Sequence, residues 1–145
     1  MSKTMHDTLR LENQLCFPLY ACSREIIKRY RPFLDEIGLT YTQYVTMMVL
    51  WAEKSISVKD LGQKLYLDSG TLTPVLKSLE SKGYITRRRS TEDERVLIAS
   101  VTESGEELMD AAEGIPQQIG KCIQLTPEEF LLLYRLLYKL LGELE

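Results

Sequence analysis

Residues 61–105 read LGQKLYLDSGTLTPVLKSLESKGYITRRRSTEDERVLIASVTESG, and this stretch decides the fold. Asp68-Ser69 is N-cap chemistry, and the leucines at 72, 76 and 79 that follow keep to one face of a helix. The spacing predicts a helix from about Ser69 to Lys82, with Gly83 in the place where a left-handed residue ends it. The period then changes. Tyr84-Ile85-Thr86-Arg87 and Val96-Leu97-Ile98-Ala99-Ser100-Val101 read as strands, joined by the polar tip Ser90-Thr91-Glu92-Asp93-Glu94. Upstream, Ser57 caps a short helix with Asp60 at its third position, and Ile56 and Leu61 are placed as its hydrophobic staple. A short helix, a tight turn, a second helix and a basic-armed hairpin form a winged helix-turn-helix over roughly residues 55–101.

Working outward, helices dominate. Residues from about Thr8 to Asp35 read as a long first helix that Pro32 kinks or ends. Thr40-Tyr41-Thr42-Gln43 is a capping box, stapled by Leu39 and Tyr44, and opens a second helix to about Glu53. Thr102 caps another helix, which Gly114 and Pro116 should bend or interrupt. The final helix has the fullest start signal: Thr126 as cap, Pro127 at its first position, Glu129 closing the box, and a Leu125–Phe130 staple. Its body, FLLLYRLLYKLLGEL, is apolar around more than one face, an excess that suggests burial against a second subunit. The expected class is mainly α with a small two- or three-stranded β-wing, as one domain over residues 1–145.

The chain has 145 residues, a length suited to one domain with a real core. No apolar stretch reaches the roughly 18 residues a membrane span needs. The start, MSKTMHDTLRLENQLCF, lacks the apolar core of a secretory signal, so the expectation is a cytoplasmic protein. Three cysteines without paired spacing and a single histidine suit neither a disulfide scaffold nor a metal site. No Gly-rich phosphate loop or nucleophile–base pair points to an enzyme, and no cofactor is implied.

The net charge is −3, yet Lys59 to Arg95 carries eight Lys/Arg against six Asp/Glu, +2 locally and −5 over the rest. Local basic charge is what a single face meeting phosphate requires. On the helix after the turn, Ser69, Thr71, Leu72, Thr73 and Pro74 are small or compact groups near its N-terminus, suited to close approach in a major groove, with Lys77 one turn on. Arg87, Arg88, Arg89 and Arg95 flank the hairpin, where a guanidinium can enter a narrow minor groove. Each piece alone has a plainer reading, as a cap or a solvated strand edge. The ordered set points to double-stranded DNA as partner.

The same stretch resembles the MarR family of bacterial winged-helix repressors, through LDSGTLTP, the helix ending in Gly-Tyr-Ile, and the DER wing. That resemblance implies that Arg95 enters the minor groove with Asp93 holding it. It also implies a homodimer joined through helices at residues 8–37 and 102–145. Members of the family also include repressors released by small aromatic ligands, an alternative that stays open here.

The segment LENQLCFPLYACSREIIKRY is similar to the organic-hydroperoxide-sensing (OhrR-like) subgroup. The resemblance implies that Cys16 is the redox-sensing thiol and that Tyr20, Tyr30 and Tyr41 hydrogen-bond or surround it. Tyr20 is four residues on, on the same helix face, and Tyr30 returns to within about 40° of that face. Phenol donors stabilise a thiolate, and a thiolate attacks peroxide to give a sulfenic acid. A lone cysteine on an apolar helix face also serves as a small buried hydrophobe. Cys22 lies about 240° round the helix from Cys16 and cannot pair with it there. Cys122 matches the second cysteine of two-cysteine members, which forms a disulfide with the reactive thiol of the other subunit. One-cysteine members form mixed disulfides with low-molecular-weight thiols, and both routes stay open. The reading implied is a redox-sensing regulator, repressor or activator, that leaves its operator when an organic hydroperoxide oxidises Cys16.

Overall fold

Side-chain amides decide where the first helix begins. In the computed structural model, which describes residues 6–144, Asn13 Nδ2 donates to the Asp7 carbonyl at 2.8 Å. Gln14 Nε2 donates to the carbonyls of Thr8 at 2.7 Å and Arg10 at 2.8 Å. These bonds take carbonyls that a helix would reserve for backbone N–H groups. Asp7–Leu9 and Leu11–Asn13 therefore form two 3-10 turns, and helix α1 runs Cys16–Glu36, not from Thr8 as the periodicity suggested. Pro18 is tolerated in the first turn, and Pro32 is accommodated inside the helix without ending it. Residues 1–5, part of the chain start read above, and Glu145 lie outside the described residues.

Helix α2 (Tyr41–Glu53) starts on the expected capping box: Gln43 N donates to Thr40 Oγ1 at 3.2 Å and Thr40 N to Gln43 Oε1 at 3.0 Å. Its Gln43, Tyr44, Thr46, Met47 and Leu50 are buried. Strand β1 (Ser55–Ser57) follows, then α3 (Val58–Leu65), capped by Ser57, and α4 (Ser69–Ser81), capped by Asp68. Tyr66, in the left-handed region at φ 56°, begins the turn between α3 and α4. Strands β2 (Ile85–Arg89) and β3 (Leu97–Val101) complete an antiparallel sheet in the order β1-β3-β2. The register pairs Ile56 with Ala99 and Arg87 with Ala99 on β3's two sides. β1 was not legible in the sequence, because three residues with capping chemistry look like the start of α3.

Helix α5 (Glu103–Ala112) is capped by Thr102 and gives way at Gly114 to α6 (Ile115–Gly120), as the Gly and Pro suggested. The chain divides there into two compact units, Met1–Ile115 and Pro116–Glu145. The second unit is carried by α7 (Pro127–Leu144), whose capping box forms between Thr126 and Glu129 at 3.0 and 3.2 Å. Phe130, Leu131, Leu132, Leu133, Tyr134 and Leu136 are all exposed along it. None of the helices among the described residues is long and apolar enough to cross a membrane.

Two glycines fix close approaches. A Cβ at Gly62 would sit 2.9 Å from the Leu67 carbonyl oxygen, so only glycine lets α3 fold tightly back on the turn. At Gly105 a Cβ would overlap the Tyr84 carbonyl and stand 2.8 Å from Val101 Cγ2, while the Gly105 carbonyl accepts from Trp51 Nε1 at 2.8 Å. Gly105→Ala should therefore destabilise the protein by about 1–3 kcal/mol. Urea unfolding would show this as a lower midpoint, against no change for Ser104→Ala on the exposed side of the same turn.

Candidate functional site

Helix α4 is held by Leu72, Leu76 and Leu79, all buried, which turns its other face to solvent. On that face Ser69, Gly70, Thr71, Pro74 and Lys77 are exposed, and Thr73 is half-buried with its hydroxyl donating to the Ser69 carbonyl at 2.7 Å. Leu72 is 1% exposed, which corrects its placement among the contact residues: it is a core residue that sets the helix's pitch into the body. Asp68 accepts from Thr71 N at 2.7 Å, and that bond holds its carboxyl below the usual carboxylate range.

Beyond the helix, the wing presents Arg88, Arg89 and Arg95. Arg88 and Arg89 are exposed, and the Arg95 side chain is 90% exposed. Asp93 Oδ1 accepts from Arg95 Nε at 3.1 Å and Asp93 Oδ2 from Arg95 Nη2 at 3.3 Å, a fork that aims the guanidinium outward from the tip. The same hydrogen bonds keep Asp93 ionised, its pKa lowered. Arg87 behaves differently from its two neighbours. Its backbone N and Nη2 donate to Glu80 at 3.1 Å each, its side chain is largely buried, and its Nε is buried without a partner. Arg87 thus ties β2 to α4 and is not presented with the exposed basic groups. Strand alternation turns Arg88 to the opposite face, while Arg89 shares the face of Arg87 but lies at the exposed end of β2.

Cys16 is the first residue of α1, exposed, where the backbone N–H groups of the first turn lack helical acceptors and favour negative charge. Tyr20, one turn on, is 58% exposed, and its hydroxyl accepts from Arg24 Nη1 at 3.5 Å with the guanidinium carbon 5.4 Å above the ring. Tyr30 and Tyr41 stack at 4.9 Å between ring centroids, and Tyr44 joins them at 5.8 and 6.3 Å. In the sequence Tyr44 had a role only in the staple of α2, although Tyr41 and Tyr44 are at helical i,i+3 spacing. Burial, then the neighbouring Tyr41 and Tyr44 phenols, push Tyr30 up to about 12, and burial also raises Tyr41 and Tyr44. All three hydroxyls are therefore protonated donors at neutral pH.

Tyr30 is fourteen residues along an unbroken helix from Cys16, about 21 Å up its axis. It shares a face with Cys16 but cannot touch the thiol of its own chain. Cys22 is exposed on α1. Cys122 follows α6, exposed, with its Sγ 3.7 Å from the Gln118 carbonyl. No group of three His, Cys, Asp or Glu among the described residues is placed to hold a metal ion.

The family described as transcriptional regulator SarA/Rot matches residues 27–112. The chain is 49% identical over 138 residues to the organic hydroperoxide resistance transcriptional regulator of Bacillus subtilis, covering 95% of this chain and 94% of that one. The chain belongs to the MarR/SarA family of winged-helix transcriptional regulators. Within this family it is 48% identical to the regulator SarZ of Staphylococcus aureus over 82% of this chain and 80% of SarZ. Its fold matches the overoxidised, DNA-bound form of the regulator AbfR with a TM-score of 0.77 at 35% identity, over 96% of this chain and 98% of that one. The reduced, DNA-bound form of AbfR matches with the same TM-score.

The tyrosine cluster of this family member carries a pH signature. Tyr30 ionises near 10 when unfolded and near 12 when folded, so its contribution to stability is full below pH 10 and is lost as pH rises through about 12. Titration of the ultraviolet phenolate absorbance should show a last step near pH 12 that Tyr30→Phe removes.

Proposed function

We propose that the protein is a thiol-based redox-sensing transcriptional regulator that binds operator DNA as a homodimer while Cys16 is reduced. It releases the operator when an organic hydroperoxide oxidises that thiol. One observation carries the reading: an exposed cysteine at the first position of α1 in a winged-helix chain that is 49% identical to an organic hydroperoxide regulator. The Cys16 thiolate attacks the distal peroxide oxygen. The O–O bond breaks, an S–O bond forms, the alcohol leaves with a proton, and the sulfur becomes a sulfenic acid. A second thiol then condenses with it to a disulfide and releases water. Cys122 of the partner copy or a low-molecular-weight thiol supplies that second sulfur.

Geometry supports the dimer. Same-chain Tyr30 is about 21 Å from Cys16, so the phenols that serve a given thiol, Tyr30 and Tyr41, come from a second copy with its first helix antiparallel, alongside Tyr20 from the same helix. The apolar residues left exposed on α7, with Leu9, Leu11, Leu15 and Phe17, supply surface for such an interface. The DNA face is Ser69, Thr71, Thr73, Pro74 and Lys77 in the major groove, with Arg88, Arg89 and Arg95 on the backbone and minor groove. The protein works in the cytoplasm, where a reducing environment keeps Cys16 poised.

Gel-shift with reduced and cumene-hydroperoxide-treated protein is the direct test: binding is lost on treatment and restored by dithiothreitol, and Cys16→Ser binds but ignores the oxidant. A Cys16→Ser protein that still responds would sink the reading. Non-reducing electrophoresis of treated protein distinguishes a Cys122-dependent cross-linked dimer from a capped monomer chain. For the wing, Arg95→Ala should weaken operator binding and flatten the plot of log K against log salt by about 0.9, with an unchanged melting temperature. Arg87→Ala should instead lower the melting temperature, because the Nη2–Glu80 bond that ties β2 to α4 is lost while only the backbone bond to Glu80 remains.

A further inference from the structure

Gln43 is buried at the start of α2, in the same helical turn as Tyr41 and Tyr44, and its side chain leaves that turn to reach the recognition helix. Its Nε2 donates to Ser78 Oγ on α4 at 2.9 Å. Its Oε1 accepts from Thr40 N at 3.0 Å and from Lys82 Nζ at 3.2 Å, and Lys82 Nζ also donates to the Gly38 carbonyl. Both groups facing Oε1 are donors, which fixes that atom as the carbonyl oxygen and leaves the NH2 for Ser78. One side chain thus closes the α2 cap and clamps it to α4.

The clamp has a counterpart. Glu80, two residues from Ser78 and so on the opposite side of α4, holds both the backbone and the guanidinium of Arg87 on β2. The recognition helix is gripped on one side by the tyrosine-bearing turn and on the other by the wing strand. A buried amide bonded in three directions cannot follow a shift of the α2 start without pulling Ser78 and Lys82, or breaking bonds whose loss leaves polar groups unpaired.

We infer that Gln43, through Ser78 and Lys82, is a positioning residue that carries the state of the Tyr30–Tyr41–Tyr44 cluster to helix α4 and, through Glu80–Arg87, to the wing. This rests on the redox reading above. Oxidation at Cys16 changes what the tyrosines hold; the α2 start moves with them; the amide transmits that movement to the helix and wing as one piece. Coupling between two sites is a difference in affinity, so cutting the link leaves each site intact and removes the difference.

The test uses the full-length protein and three readouts: operator Kd when reduced, operator Kd after cumene hydroperoxide, and the rate of Cys16 sulfenic acid formation. Ser78→Ala combined with Lys82→Met cuts the α4 end and leaves the Thr40–Gln43 capping box in place. The expected result is a reduced-state Kd within about threefold of wild type, an unchanged oxidation rate, and an oxidised-to-reduced Kd ratio smaller by about tenfold or more, within the range of typical coupling energies. Gln43→Glu keeps an acceptor for Thr40, Lys82 and the Ser78 hydroxyl and should restore most of the ratio that Gln43→Leu loses. Should Gln43→Leu fail to fold, the α4 double variant decides alone. Thr40→Ala, which loosens the cap but spares Ser78, should keep the ratio. A double variant with the wild-type ratio overturns the proposal, as does a Thr40→Ala protein that loses it equally. A wild-type protein indifferent to peroxide sinks the redox reading and this coupling together, whereas a responsive wild type matched by the double variant sinks the coupling alone.

Discussion

Burial of helix α2 is the constraint on which the first unit depends. α1, α3, α4, α5, β1 and β3 all pack against it. Met47 and Leu50 have no exposed surface, and each such side chain contributes about 1.5–3 kcal/mol by leaving water. Even the polar Thr46 is fully buried, its hydroxyl satisfied by donating to the Thr42 carbonyl at 2.7 Å. Because α2 touches nearly everything, its first turn is where a chemical event can be felt elsewhere. Tyr41, Gln43 and Tyr44 all sit in that turn.

The basic groups show how an acidic chain presents a positive face. The four arginines around the hairpin do not act alike. Arg88, Arg89 and Arg95 stand in solvent, where long-range attraction to phosphate costs them no desolvation before contact. Arg87 is paired with Glu80, so one of the four serves rigidity, holding wing to helix at a fixed spacing. A wing that carries Arg95 must keep such a spacing if helix and wing are to meet adjacent grooves at once.

Much of the chain's organisation was legible because it is made by contacts within four residues. The capping boxes at Thr40–Gln43 and Thr126–Glu129, the caps at Ser57, Asp68 and Thr102, and the break at Gly114 all stand where the local chemistry placed them. Where local rules compete, the reading slipped. Residues from Thr8 to Gln14 have helical periodicity, but Asn13 and Gln14 satisfy the carbonyls themselves, so α1 starts at Cys16. β1 is three residues long and exists only because β3 is there to pair with it.

The sequence by itself determined the order of elements and the winged helix-turn-helix, because caps, periods and turns are written in neighbouring residues. Only the tertiary structure decided which way each side chain points across elements. Arg87 goes to Glu80, and Tyr44 joins Tyr30 across two helices. Gln43 meets Ser78, 35 positions on. Such contacts are set by how helices pack around α2, and no local spacing encodes them. The unbroken α1 likewise converts a shared helix face into a separation of about 21 Å, so the thiol at Cys16 and the phenol at Tyr30 of one chain cannot touch.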